Sequence, residues 1–243
     1  MQKSTIEEIE KRFDNDVERF SNLETGQLTT IDARFNMDLI TDCIAKIYSG
    51  KVQVLDIGCG AGNYSVMLSR KIKSVDVTLV DLSKPMLDKA HERVLAENKG
   101  MVKVWKGDFR SAVFSENTFD VIIATAVFHH LRDDNDWSDS FEKLFHWLKP
   151  GGSLWVFDLV SDGNDQIQQF IFNVRYGDYL TSLQNQTYRD KVFDYIEKED
   201  TPRPLVYQLD LLKRVGFKPV SILHKNLCFA SYAGFKQIRN FAL

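Results

Sequence analysis

The chain has 243 residues, a formal net charge of −3, and 44% hydrophobic and 27% charged residues. That length suits one α/β domain with decorations better than two full domains. No apolar run approaches the roughly 20 residues that cross a bilayer, and the interspersed charges give no global basic field of the kind that grips a phosphate backbone, so neither a membrane nor a nucleic acid is the expected partner. Cys43, Cys59 and Cys228 are odd in number and not in CxxC spacing, which argues against a disulfide framework or a zinc knuckle. The first twenty residues mix charges without an apolar core of the signal-peptide kind, so the expected location is cytoplasmic.

In chain order, residues 4–20 read as an amphipathic helix. A second helix is expected over 31–48, where Phe35, Leu39, Ile40, Ile44 and Ile47 recur at helical spacing. Both are placed to cap a sheet edge or a pocket. After Gly50 short apolar runs alternate with helices: strands at 52–57, 75–81, 102–107, 119–127 and 152–160, helices at 63–70, along Met86, Ala90 and Val94, and over 137–148. This alternation is the signature of a mostly parallel, doubly wound sheet. Ser83 is positioned to cap a helix with Pro85 in its first turn, and Pro150-Gly151-Gly152 stops the helix before the fifth strand. Residues 161–200, polar and then rich in aromatics, read as an inserted helical cap. A helix at 203–215 with Gly216 past its end follows, then strands at 219–224 and 227–234 as an antiparallel hairpin turning at Lys225-Asn226. The expected divisions of one domain, 1–243, are N-terminal helices 1–50, a core 51–160, a cap 161–200 and a closing helix and hairpin 201–243.

The chemistry-bearing residues fall at the ends of these strands. Asp56, Gly58, Cys59, Gly60 and Gly62 follow the first strand, and glycines there let a ligand lie against bare peptide near a helix N-terminus. The dinucleotide fingerprint requires Gly or Ala where this chain has Asn63, which argues against a nicotinamide cofactor. Asp81, followed by Leu82, ends the second strand, where a carboxylate can accept from ribose hydroxyls; a local helix cap is its structural alternative. Met86 suits an adenine face or simple core packing, and Gly107, Asp108 and Phe109 follow the third strand.

Taken together, VLDIGCGAGNYS, LVDLSKPML, KGDF, FDVIIATAVFHHL and LKPGGSLWV resemble, in order and spacing, the class I S-adenosylmethionine-dependent methyltransferases. The resemblance implies a Rossmann-like α/β fold with a seven-stranded sheet, and S-adenosyl-L-methionine as donor with S-adenosyl-L-homocysteine as product. It places Asp56, Gly58, Gly60 and Gly62 around the methionine part, Asp81 on the ribose, Asp108 and Phe109 about the adenine, and Ala124, Thr125 and Ala126 under the sulfonium. The stretch from Phe170 to Lys236 is similar to carboxy-S-adenosylmethionine synthases of tRNA wobble-uridine modification, but those carry Gly-Cys-Ser-Leu-Gly where this chain has Gly58-Cys59-Gly60-Ala61-Gly62. That departure favours the ordinary donor, with Arg189 solvated. A binding subunit without catalysis is the third reading.

His129 and His130, after the fourth strand, are the candidate catalytic residues: a neutral imidazole there takes a proton from a hydroxyl or ammonium acceptor, with a loop-capping role as the alternative. No metal is expected, because Asp133, Asp134 and Asp136 read as a solvated turn. The acceptor is expected to be a small molecule. The aromatics and Arg175 and Arg189 of the cap suit an apolar or aromatic acceptor with an anionic group, or equally the cap's own core or a homodimer contact.

Overall fold

The N-terminal pattern resolves into two helices, not one, in the computed structural model, which describes residues 3–238. Helix α1 (Ile6–Asp14) opens with a capping box in which Thr5 and Glu8 each accept from the other's backbone amide. It ends where the Asn15 side-chain amide donates to the Lys11 carbonyl at 2.8 Å, and α2 (Val17–Ser21) starts after Asp16. Consecutive Asn and Asp compete locally with the helical ladder, which breaks the expected single helix. Helix α3 (Ala33–Ile47) buries Met37, Ile40, Thr41 and Ile44, whereas Phe35 and Ile47 stay exposed. The apolar stripe is therefore rotated from the one expected.

Strands β1 (Lys51–Ile57), β2 (Ser74–Asp81), β3 (Val102–Lys106), β4 (Phe119–Thr125) and β5 (Leu148–Leu159) run parallel. With β6 (Val220–Asn226) and β7 (Phe229–Phe235) they form one seven-stranded sheet in the order β3-β2-β1-β4-β5-β7-β6. β7 is antiparallel to both its neighbours. The closing turn lies at Leu227-Cys228, two residues beyond the expected place, because the Asn226 side chain, donating to Asp32 at 2.8 Å, remains within the strand, and Leu227 takes the left-handed conformation.

Alternate side chains of β1 divide the core. Val52 and Val54 pack toward α3, α4 (Asn63–Lys71) and α5 (Lys84–Glu97), while Leu55 and Ile57 pack with Trp137, Phe141 and Leu144 of α6 (Asp134–Trp147) and Leu211 and Leu212 of α10 (Leu205–Val215). The expected cap is α7 (Asp165–Gln168), a π-helical turn over Gln169–Tyr176, α8 (Gly177–Leu183) and α9 (Gln186–Glu199). Most of its aromatics pack inward, while Phe170 stays exposed: Phe172 stacks on Phe193 with ring centroids 4.9 Å apart, and buried Tyr176 meets Phe229 of β7 at 5.5 Å. No described helix is long and apolar enough to cross a membrane.

Ser83, wholly buried, caps α5 by accepting from the Met86 amide at 3.2 Å and donates to the Asp14 carboxylate at 2.6 Å, so one hydroxyl ties α1 to the sheet edge. Ser83→Ala is expected to lower unfolding free energy by about 1–2 kcal/mol, read as a lower urea midpoint at constant m-value. An unchanged midpoint would remove the cap from the stabilising interactions.

Candidate active site

The parallel register brings the carboxyl ends of β1, β2, β4 and β5 to one edge of the sheet, where a cavity of about 190 Å³ opens. Its floor is the loop after β1, with Gly58, Gly60 and Gly62 all at positive φ. The glycines divide the work. A Cβ built on Gly60 meets nothing within 4 Å, so bare peptide faces the cavity there; one on Gly62 would lie 3.0 Å from the Ala90 Cβ, so that glycine lets the loop pack on α5. Asp81 holds the loop by accepting from the Gly60 amide at 2.8 Å and the Ser83 amide at 2.9 Å. Its carboxylate still lines the cavity, beside Leu82 and Met86. Burial raises its pKa to about 6, against the pull of those amides. Asp56 lies beneath the loop, where it accepts from the Ser65 hydroxyl at 2.5 Å. Burial lifts it to about 7, with Ser65 opposing and Asp81 adding repulsion. The Cys59 thiol also lines the cavity and is driven upward by burial, so it is not a thiolate nucleophile.

Gly107, Asp108 and Phe109 do not reach this cavity. The Gly107 amide donates to the Asp81 carbonyl at 2.9 Å, Asp108 is held by the Arg110 guanidinium at 2.5 Å, and Phe109 is buried against Phe128. Asp56 and Gly62 likewise support the loop from outside the lining.

The other end of the cavity is built on Thr125, Ala126, His129 and His130, with Ala124 fully buried behind them. Ala126 sits at φ 56°, in the left-handed region, and its amide donates to the Phe157 carbonyl at 2.8 Å. The Asp158 carboxylate, wholly buried at the end of β5, accepts from the Phe128 amide at 2.7 Å and the Val127 amide at 3.2 Å, and binds His129 Nδ1. On the far side of that ring, Asp200 Oδ1 lies 3.7 Å from His129 Nε2 and 3.2 Å from His130 Nδ1. Burial disfavours charge on His129, but Asp200 and Asp158 outweigh it and raise its pKa to about 9. The two aspartates thus favour the protonated ring, which works against the neutral base expected from sequence. The two histidines differ in partners, since His130 also lies 3.5 Å from the Glu199 carbonyl and packs edge-on to Phe13.

The N-terminal helices lie over a pocket, one of the two placements expected for them, but their individual lining residues were not legible. Arg12, Phe13, Arg19 and Phe20 of α1 and α2 line the cavity together with Asp200 and with Tyr176 and Tyr195 of the aromatic cap. Arg12 donates to Glu199 through both Nε, at 2.8 Å, and Nη2, at 2.5 Å, and stands over the rings of Phe13 and Tyr195. Lys3 adds a bond to the Asp200 carbonyl at 2.5 Å. Alternation of charge and aromatics marked the N-terminal segment as amphipathic, but its partner lies 187 residues on. Arg175 and Arg189 of the cap do not line the cavity, and Arg189 pairs with Asp190 at 2.6 Å.

A family model described as a methyltransferase domain matches residues 54–152. The chain is similar to the malonyl-[acyl-carrier protein] O-methyltransferase of Priestia megaterium, at 27% identity over 65% of this chain and 53% of that protein, so it spans about half the length of that relative. It is similar also to the demethylmenaquinone methyltransferase of Leptospira interrogans, at 29% identity over 76% of this chain and 74% of the relative. A solved Thermotoga maritima structure, of an S-adenosylmethionine-dependent methyltransferase described as a possible histamine N-methyltransferase, shares the fold with a TM-score of 0.59 at 21% identity, covering 96% of this chain and all of that one.

The bidentate Arg12–Glu199 pair, with Glu199 mostly buried, is the latch between α1 and α9. Glu199→Gln is expected to accelerate hydrogen exchange at amides of residues 6–14 at least severalfold while β1 and β4 amides keep their protection. Equal protection in both proteins would mean that the pair does not hold the helix down.

Proposed function

We propose that this chain, which belongs to the class I S-adenosylmethionine-dependent methyltransferases, transfers a methyl group from S-adenosyl-L-methionine to a small-molecule acceptor. The observation that carries the reading is the cavity itself: a loop of bare peptide and an ionisable carboxylate at one end, a polar histidine cluster at the other, and helices α1 and α2 across the top. The donor supplies an electrophilic methyl on a sulfonium, which needs no metal or acid to leave.

The residues present fit such a donor. Gly60 offers room for it against the backbone, while Gly58 lets the loop pass close to Val127; Asp81 would accept from ribose hydroxyls, Leu82 and Met86 would cover the base, and Thr125 and Ala126 would lie under the sulfur. Asp56 acts through the loop by holding Ser65. Aromatic and aliphatic side chains exclude water, and much of the rate comes from holding the two reactants in line within that enclosure. An acceptor of macromolecular size would have to displace α1 from Glu199, which favours a small one. The relatives named above act on different acceptors, and none is transferred to this chain.

Isothermal titration is expected to give micromolar affinity for S-adenosyl-L-methionine and its homocysteine product and none for NADH. Asp81→Ala is expected to weaken donor binding by roughly 1.5–3 kcal/mol, because a charged acceptor of two hydroxyls is lost. An unaltered dissociation constant would place the ribose elsewhere. A screen of small acceptors with methyl-labelled donor then tests the transfer.

The pH dependence follows from Asp81. Its folded pKa, raised to about 6, lies above the ordinary carboxylate range, so its ionised form is destabilising at neutral pH and that cost is relieved as pH falls through 6. Donor binding, which uses the ionised form, is expected to run the other way: full above about pH 6 and weaker below it, with the slope absent in Asp81→Asn. A flat profile in the wild-type chain would overturn the assignment.

A further inference from the structure

We propose that His129, His130 and Asp200 form a divalent transition-metal site at the acceptor end of the cavity. One ligand atom from each lies within 4.8 Å of the others. The two separations measured to Asp200 Oδ1, 3.2 and 3.7 Å, are close to those of atoms sharing one ion, since ligands held at about 2.0–2.2 Å sit roughly 3–3.6 Å apart. Two imidazoles and one carboxylate on one face, with the remaining positions open to the cavity, are a donor set suited to Zn²⁺, Fe²⁺, Co²⁺ or Mn²⁺.

Two further observations point to a ligand here. The Asp200 side chain is 4% exposed and lies in the cavity lining, and its Oδ1 has no well-formed hydrogen bond among the described residues: it stands between His130 Nδ1 and His129 Nε2, the two nitrogens that would share an ion with it. His129 carries a carboxylate behind it: Asp158 fixes Nδ1 and turns Nε2 toward Asp200, the arrangement in which a second carboxylate orients a metal-bound imidazole. Asp158 and Asp200 are two buried carboxylates on opposite sides of one ring. The nearby cations make their hydrogen bonds to other atoms: Arg12 to Glu199, Arg132 to the carbonyls of Glu199 and Ser4, Lys3 to the carbonyls of Glu197 and Asp200.

The open positions would take an oxygen of a hydroxyl-bearing acceptor. Coordination lowers that hydroxyl's pKa; its O–H bond breaks with the electron pair left on oxygen and the proton passing to solvent. This role rests on the methyl-transfer reading, but the metal site does not, and the two are tested separately.

The full chain, stripped with chelator and without donor, would be titrated with Co²⁺ and followed by visible absorption, with Zn²⁺ competition. The expected result is one saturable site with ligand-field bands, weakened at least tenfold in His130→Ala and Asp200→Asn and unchanged in the surface control His146→Ala. Circular dichroism and donor affinity of each variant would establish that it is folded. Absence of a saturable site in the wild-type chain, or equal affinity in the folded Asp200→Asn variant, would overturn the proposal and leave a protonated His129 between two aspartates. Donor binding retained alongside that failure would leave the methyl-transfer reading standing.

Discussion

The carboxylate of Asp158 is the interaction on which the acceptor end of the site depends. It sits one residue before the end of β5, in the buried half of that strand, and gathers two backbone amides and an imidazole from the loop after β4. A buried charge is tolerable only when its lone pairs are filled, and filling them fixes the path of Val127 to His129. The left-handed Ala126 just before that stretch is a conformation that the surrounding bonds impose. Strand pairing sets where β4 and β5 end; Asp158 converts that alignment into one orientation for His129.

At the donor end the corresponding device is Asp81, which spans from β2 to the Gly60 amide and the start of α5. Both ends thus use a buried aspartate at a strand terminus to hold a neighbouring loop by its amides. Between them, the cavity is closed by parts of the chain that belong to neither strand: α1 and α2 from one side, the π-helical turn and α9 from the other.

The strands and their succession along the chain follow from signals that lie within single segments: apolar runs, glycine turns, the Ser83 cap, Gly216 after α10. Those segments are short, and the central strands β1, β2 and β4 carry the apolar runs that burial demands, whereas β3 and β6 at the sheet edges are partly exposed. The tight path of the loop after β1 was equally readable, because its glycines report on backbone shape. The acceptor end was read only in part. The histidine pair stands out, but its charge state is set by Asp158 and Asp200, which approach from strands and helices far along the chain and carry no local mark. The aspartates nearest in sequence, read as a turn, are used locally: Asp133 caps α6 and Asp136 pairs with Arg110. The role of Arg12 was hidden for the same reason, and Asp108, legible by position, is turned to Arg110 by a guanidinium two residues away.

The separation of Arg12 from Glu199 also orders events during synthesis. Arg12 of helix α1 is translated 187 positions before the residue that anchors it. Contacts of such long range form late, after the loop closure that joins them has been compensated by the rest of the core. Until Glu199 is made, a nascent chain would therefore hold β1 to β5 and the loop after β1 while its cavity still lacked a roof, with Phe13 and Phe20 uncovered and β6 and β7 still to come. In that interval the exposed aromatics are the surface a chaperone would meet.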